Sequence, residues 1–352
     1  MRSGVPFGIA VKVAIGYRVV DGPWGGGNRF VAALNDALAA AEHEVVHDLR
    51  DPDIDIILII DPRTRIPNIP FGSGDILRYL SFRNPSAVVM HRINECDERK
   101  NTKLVNFRLR LANYAADHTV FVGSWLKDLS VWRKSDGFGS SVILNGANRA
   151  VFNADGHTPW NGLSPLKLVT HHWGGNWMKG FDVYQKLDQM LSEEAWKGRI
   201  AFTYIGNVPK GFVFQNARHI SPMDAEQLAV ELRAHHVYVT ASICEPGGNH
   251  QNEGALCGLP LLYRNSGCMP EYCDGFGVMF DGPDDFTTAL EDMKDNYGTW
   301  YKKIMSYPYT TERTVAAYIE LMETLSADHK NIEQARSIWR NPLVFFLNQI
   351  QF

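Results

Sequence analysis

From residue 11 the chain alternates short apolar runs with longer segments whose apolar positions recur every three to four residues. That alternation predicts strands covered by helices, the pattern of a parallel sheet. Strands are expected at 11–17, 44–47, 54–61, 87–90, 119–122 and 141–148. The run 54–61, IDIILIID, is apolar enough to be buried on both faces. Helices are expected at 30–41, with Asn28 as N-cap, and at 104–115. Residues 151–165 contain FNADGHTPWNGLSP, which has no periodicity and the Gly, Pro, Asn and Asp content of a linker. The alternation then restarts, with strands at 166–171, 200–206, 237–242 and 259–263. Helices are expected at 180–191, at 225–234 and from Gln251. Two successive βα halves predict an α/β protein with two Rossmann-like domains facing a cleft, 1–150 and 166–325. A helical tail follows at 326–352, with a late apolar run LVFFL (343–347) suited to a domain, oligomer or membrane contact.

A length of 352 residues is comfortable for two cores, and 45% hydrophobic with 21% charged residues is ordinary for a globular protein. The formal charge of −4 argues against nucleic acid as a partner. Five cysteines without a CxxC pair suit a reducing compartment, as buried apolar thiols. No run is long enough to span a bilayer, and the opening MRSGVPFG reads as a disordered lead-in rather than a signal peptide. A cytoplasmic protein is expected.

The richest chemistry lies in ASICEPGGNHQNEGALCGLPLLYRNSGCMPEYCDGFGVMF, 241–280. It follows a strand, and open α/β sheets bind ligands beyond their strand C-termini. Gly247, Gly248 and Asn249 lead into a helix whose first amides suit a diphosphate. Glu245 and Glu253 flank that turn, and ionised carboxylates accept hydrogen bonds from sugar and ribose hydroxyls. A second strand end carries THHWGGNWMKGFDVY (170–184), where Lys179 and Gly180 open a helix. A lysine there reaches a phosphate as a point charge, with Asn176 nearby.

The two glutamates with seven residues between them, followed by EGALCGLPLLYRNSGCMPEYC, resemble the retaining family-4 glycosyltransferases of GT-B architecture. The resemblance implies that Glu245 contacts the donor sugar and Glu253 the nucleotide ribose. It implies that Lys179 and Gly180 form the family's KG pair on the diphosphate. The arginine that accompanies this pair in the family is missing from the loop, which holds His171, His172, Asn176 and Trp177 instead. A paired-glycine loop near the donor diphosphate corresponds to 22–30, GPWGGGNRF, making Gly25, Gly26 and Gly27 cleft candidates, and EHEVV (42–46) matches the Gly-His-Glu-Val-like segment that follows in all but its glycine. A histidine against the donor sugar corresponds to His91, and the terminal helix is expected to return to the first domain.

Arg92, Asn94, Glu95 and Asp97 follow His91 and are candidates for the acceptor. Arg99, Lys100, Lys103, Arg108 and Arg110 form a basic cluster, read either as a solvated helix face or as a peripheral contact to anionic lipid or a phosphate-bearing acceptor. The pairs His171–His172 and His235–His236 lack a third ligand at metal spacing. DPDID (51–55) precedes its strand, so no metal is expected to hold the diphosphate. The expected partners are a nucleotide-sugar donor and a glycan or lipid-linked acceptor, with no further cofactor. Alternatives are a nucleotide-sugar epimerase, a phosphorylase, a catalytically silent nucleotide or glycan binder, or, on a poor glycine fingerprint, an NAD-dependent oxidoreductase.

Overall fold

The fully apolar run Ile56–Ile59 makes a central strand of the first sheet, because a strand covered by helices on both faces has no solvent side. The computed structural model describes residues 10–20, 26–63, 66–133 and 139–350. The first domain holds β1 (Lys12–Ile15), α1 (Gly26–Ala40), β2 (Glu44–Val46), β3 (Ile56–Ile59) and α2 (Ser73–Phe82). It continues with β4 (Val88–Ile93), α3 (Val105–Asn113), β5 (His118–Phe121) and β6 (Gly139–Val142). Its sheet runs β2-β1-β3-β4-β5-β6, every described pair parallel.

The second domain begins with β7 (Leu166–His172), α4 (Phe181–Met190), β8 (Ile200–Gly206), β9 (Arg218–Ile220) and α5 (Ala225–Arg233). Then come β10 (Val237–Thr240), α6 (His250–Leu256), β11 (Leu261–Arg264), α7 (Met269–Cys273), β12 (Gly277–Phe280), α8 (Phe286–Asp295) and α9 (Tyr297–Ile304). Its sheet, again parallel, runs β12-β11-β10-β7-β8-β9. The chain ends in α10 (Thr311–Ala327), α11 (His329–Ala335) and α12 (Pro342–Leu347).

Each sheet carries an apolar cluster on both faces. In the first domain Leu58, Val88 and Met90 face α1, whereas Ile57, Ile59 and Val89 face α2. The tail adds to both clusters: Val315, Tyr318 and Met322 of α10 join the first, and Phe345 of α12 joins the second. The return to the first domain therefore begins at Thr311, earlier than the 326 read from sequence. The cause is local. Gly146 lies so close to the Thr310 backbone that a Cβ would meet its carbonyl carbon at 2.1 Å, and Ala147 pairs with Thr310. The two inter-domain passages are thus stitched together, and Thr310 starts α10 at that stitch.

The Thr310 hydroxyl accepts the Arg313 N–H at 3.3 Å as the α10 N-cap. Thr310→Ala is expected to cost about 1 kcal/mol. In a thermal scan that lowers the melting midpoint by about 2–4 °C, and Thr310→Ser recovers most of the loss.

Two local expectations change. Asn28 lies inside α1 rather than at its cap. Its side chain bonds both backbone groups of Val20 at 2.9 Å, tying the helix to the loop after β1. The strand expected at 141–148 ends at Val142, because Asn145 turns away to the second domain, where its N–H donates to the Tyr272 hydroxyl at 2.7 Å. Residues 21–25, including Gly25, and most of the opening segment lie outside the described residues.

Candidate active site

The loops that leave the C-terminal ends of both sheets border one cavity of about 830 Å³, large enough for a nucleotide carrying a sugar. From the first domain it takes Gly26, Arg29, Arg92, Asn94 and Arg99; from the second it takes the ends of β7 and β8 and the loop 245–253.

Glu245 is set by its backbone. Cys244 holds φ +52°, a left-handed conformation uncommon for a side-chain-bearing residue, and its N–H donates to Ser266 Oγ at 2.9 Å. The following loop lies against Glu245: the Cys268 N–H donates to the Glu245 carbonyl at 2.9 Å. A Cβ on Gly267 would meet the Glu245 nitrogen at 2.5 Å. The small residues after the motif thus exist to fix where Glu245 points.

Lys179 is set by the same region. Its 3-10 turn, Trp177–Lys179, is capped by Asn176, whose Oδ1 accepts the Met178 N–H at 2.8 Å. The Met178 carbonyl accepts the Ile243 N–H at 2.8 Å, joining this turn to the glutamate loop. Lys179 Nζ then reaches Glu245 Oε2 at 2.5 Å, and Arg99 Nε stands 3.5 Å from Glu245 Oε1. Burial alone would push the Glu245 carboxyl up, but the Lys179 and Arg99 cations outweigh it and hold Glu245 well below the usual carboxylate range. Burial, with repulsion from Arg99, pulls the Lys179 ammonium below an ordinary lysine, although Glu245 opposes the shift.

Glu253, in the first turn of α6, is 2% exposed. Its Oε1 meets Arg29 Nη1 of the first domain at 2.9 Å, and its Oε2 meets His171 Nε2 at 2.6 Å. Burial would raise this carboxyl, and Arg29 and His171 bring it below its usual value. The other ring nitrogen, His171 Nδ1, lies 3.0 Å from the Tyr238 hydroxyl. The neighbouring His172 and His250 rings lie 4.6 Å apart, and each bonds a hydroxyl, of Tyr184 and Thr240 respectively. Burial keeps both neutral, His250 pushed down to about 3.

Of the residues picked out from sequence, Lys179, Glu245, Glu253, Asn176, Gly26, Gly27, Gly247, Gly248 and Asn249 border this one cavity, as do Arg92 and Asn94. Four do not, His91, Glu95, Asp97 and Gly180, and each has another task; Glu95 holds Arg99 and Lys100. His91 is fully buried, bonded through Nδ1 to Asn113 Oδ1 at 3.0 Å and pushed down to about 4 by that burial. It sits on the α2 face of β4, opposite the face that sends Arg92 to the cavity. Asp97 accepts from the N–H groups of Val105 and Asn106, both at 3.0 Å, and so starts α3. Gly180 holds φ +97°, and a Cβ there would lie 2.4 Å from Ala241; it lets the lysine turn pass close to that strand end. Gly247 also differs from its reading, since its bare Cα makes room for Val122 of the first domain, 2.5 Å from a would-be Cβ.

The basic cluster divides. Arg99 and Lys100 border the cavity, Lys103 is exposed, and Arg108 and Arg110 are half-buried on α3, so the five do not share one face. His235 and His236 are spent on Thr203, Glu231 and the Lys167 N–H. Among the described residues no group of three or more His, Cys, Asp or Glu is arranged to hold a metal ion, and no helix is long and apolar enough to cross a membrane. Arg29, Arg99 as a cavity residue, and His250 escaped the sequence reading; only Arg29 had a signal, its place two positions after the glycine run.

No protein-family model matches the chain, and no curated protein matches it in sequence. Solved structures do. A sucrose-phosphate synthase from Thermosynechococcus elongatus matches with a TM-score of 0.61 at 16% identity, over 90% of this chain and 99% of that one. HepE of Anabaena, solved with UDP and glucose, matches with a TM-score of 0.61 at 10% identity, over 90% of this chain and all (100%) of the other. AviGT4, a glycosyltransferase involved in avilamycin A biosynthesis, matches with a TM-score of 0.55 at 13% identity, over 90% and 98%. The chain has the fold of these proteins, the GT-B arrangement of two Rossmann-like domains about a cleft.

Proposed function

We propose that the protein is a retaining glycosyltransferase that moves a sugar from a nucleoside diphosphate to a hydroxyl of a glycan, lipid-linked or small-molecule acceptor. The observation that carries this reading is the meeting of Lys179, Glu245 and Glu253 in one cleft-side cavity. HepE, of the same fold, binds UDP and UDP-glucose, which supports a nucleotide-sugar donor here. Among the described residues five Arg or Lys side chains border the cavity against three carboxylates, in a chain whose formal charge is −4. That local reversal of sign attracts an anionic ligand such as a diphosphate.

In the reaction the bond from the anomeric carbon to the diphosphate oxygen breaks, and its electron pair leaves with the diphosphate. Lys179 and the Gly247 and Gly248 amides stabilise that charge. The acceptor oxygen bonds the anomeric carbon on the same face, and its proton goes to the departing diphosphate. Glu253 holds the ribose and Glu245 the sugar hydroxyls, while Arg92 and Asn94 face the acceptor. The chemistry needs no metal, and the enzyme acts in the cytoplasm or on a membrane's inner face.

Thermal scans with UDP-, GDP- and ADP-sugars test the reading first, since a ligand at a hundred times its Kd raises stability by about 2.7 kcal/mol. A stabilising donor is then incubated with acceptor panels, and NMR reads the anomeric configuration of the product. Transfer unaffected by EDTA is expected; dependence on free phosphate, or turnover of the donor without acceptor, would replace the transferase with a phosphorylase or an epimerase.

A further inference from the structure

The lysine turn carries no arginine: Gly174 and Gly175 occupy it, and a Cβ on Gly175 would lie 2.4 Å from the Val208 carbonyl oxygen, leaving that backbone no room for a side chain. A lone ammonium is a weak holder of two phosphates, because it is a point charge without the planar fork that a guanidinium offers. The first domain supplies a fork at the same place. Arg99, in the loop between β4 and α3, borders the cavity with its Nε 3.5 Å from the carboxylate that Lys179 holds.

Resting on the donor reading above, we propose that Arg99 is the second diphosphate clamp, so that the phosphate site is split between the two domains. The placement is built rather than incidental. Glu95 Oε2 accepts from Arg99 Nη1 at 3.0 Å and from Lys100 Nζ at 3.1 Å, fixing the side chain from behind. Asp97 anchors the same loop to α3. Arg99 is only about a quarter exposed, at 26% of its side chain, and among the described residues its Nε has no hydrogen-bond partner, so it can turn to an oxyanion. A diphosphate beside Lys179 neutralises two cations that now converge on Glu245, and it bridges the domains as it does so. Donor binding thereby favours the closed arrangement in which water is excluded from the anomeric carbon.

Calorimetric titration with UDP, GDP and ADP, each beside its monophosphate, reads the clamp directly. Wild type is expected to bind at least one diphosphate tighter than its monophosphate by tenfold or more. Arg99→Ala removes about tenfold of that preference and leaves monophosphate affinity within about twofold, and Arg99→Lys recovers part of it. Lys103→Ala, on the same segment but exposed, serves as the control with full preference. An unchanged preference in Arg99→Ala overturns the proposal, as does an equal loss for diphosphate and monophosphate in a variant that melts like wild type. If wild type binds none of the three diphosphates, the donor reading itself falls and the clamp with it.

Discussion

Lys179→Ala is expected to lower the transfer rate by about two to three orders of magnitude, with a smaller loss in donor affinity. The ammonium lies 2.5 Å from Glu245 and borders the cavity; in the proposed reaction it meets the bridging oxygen's charge as that charge develops. Removing one preorganised donor from such a position costs about 10²–10³ in kcat. In the ground state the diphosphate is already charged and keeps other partners, so binding changes less than turnover. Initial rates over a range of donor concentrations separate the two. A variant that loses only KM would move Lys179 from leaving-group stabilisation to simple donor recruitment.

The same lysine sets a pH limit. Burial and Arg99 lower its pKa from the ordinary 10.5, and the cation is lost as pH rises through that lowered value. Transfer is therefore expected to fall on the alkaline side earlier than a solvent-exposed lysine would dictate. Glu245 adds no acid limb in the usual carboxylate range, because Lys179 and Arg99 hold it ionised there against the effect of burial. In Lys179→Arg the residual activity should show no alkaline limb below the arginine range, which a pH–rate profile of kcat/KM checks, since that ratio reports groups of the free enzyme.

How much of this was legible in the sequence depends on which physical signal each feature leaves. β3 was readable because an uninterrupted apolar run has no other comfortable place than between helix layers. Glu245, Glu253 and Lys179 were readable as cavity residues because they follow strand C-termini, where open α/β sheets bind ligands, and all three border the cavity. His91 misled for the reason that made its strand visible. β4 is buried on both faces, so no polar alternation reveals which parity points to the cleft, and Arg92 rather than His91 has it. Arg99 was invisible as a site residue because its value comes from a contact across 146 positions of chain, to Glu245, and charge patterning reports only neighbours. Gly247 carries the same lesson, since its need for a bare Cα is set by Val122 of the other domain.

Glu253→Ala should act on the nucleoside rather than on the chemical step. A carboxylate offers about four lone-pair positions. Arg29 and His171 use one oxygen each, which leaves acceptor capacity for two adjacent ribose hydroxyls. Hydrogen bonds to a charged acceptor are worth about 1.5–3 kcal/mol, so the loss in donor affinity is expected near a hundredfold. Part of any loss would come from stranding the two partners. Arg29, with 44% of its side chain exposed, can turn to solvent, while His171 is held by Tyr238 and stays. The ligand therefore supplies the sharper comparison. Wild type should bind a nucleoside diphosphate far more tightly than its 2′,3′-dideoxy counterpart, and Glu253→Ala should bind the two alike. If the variant still discriminates between them, the ribose is read elsewhere, and Glu253 serves only to pair Arg29 across the cleft.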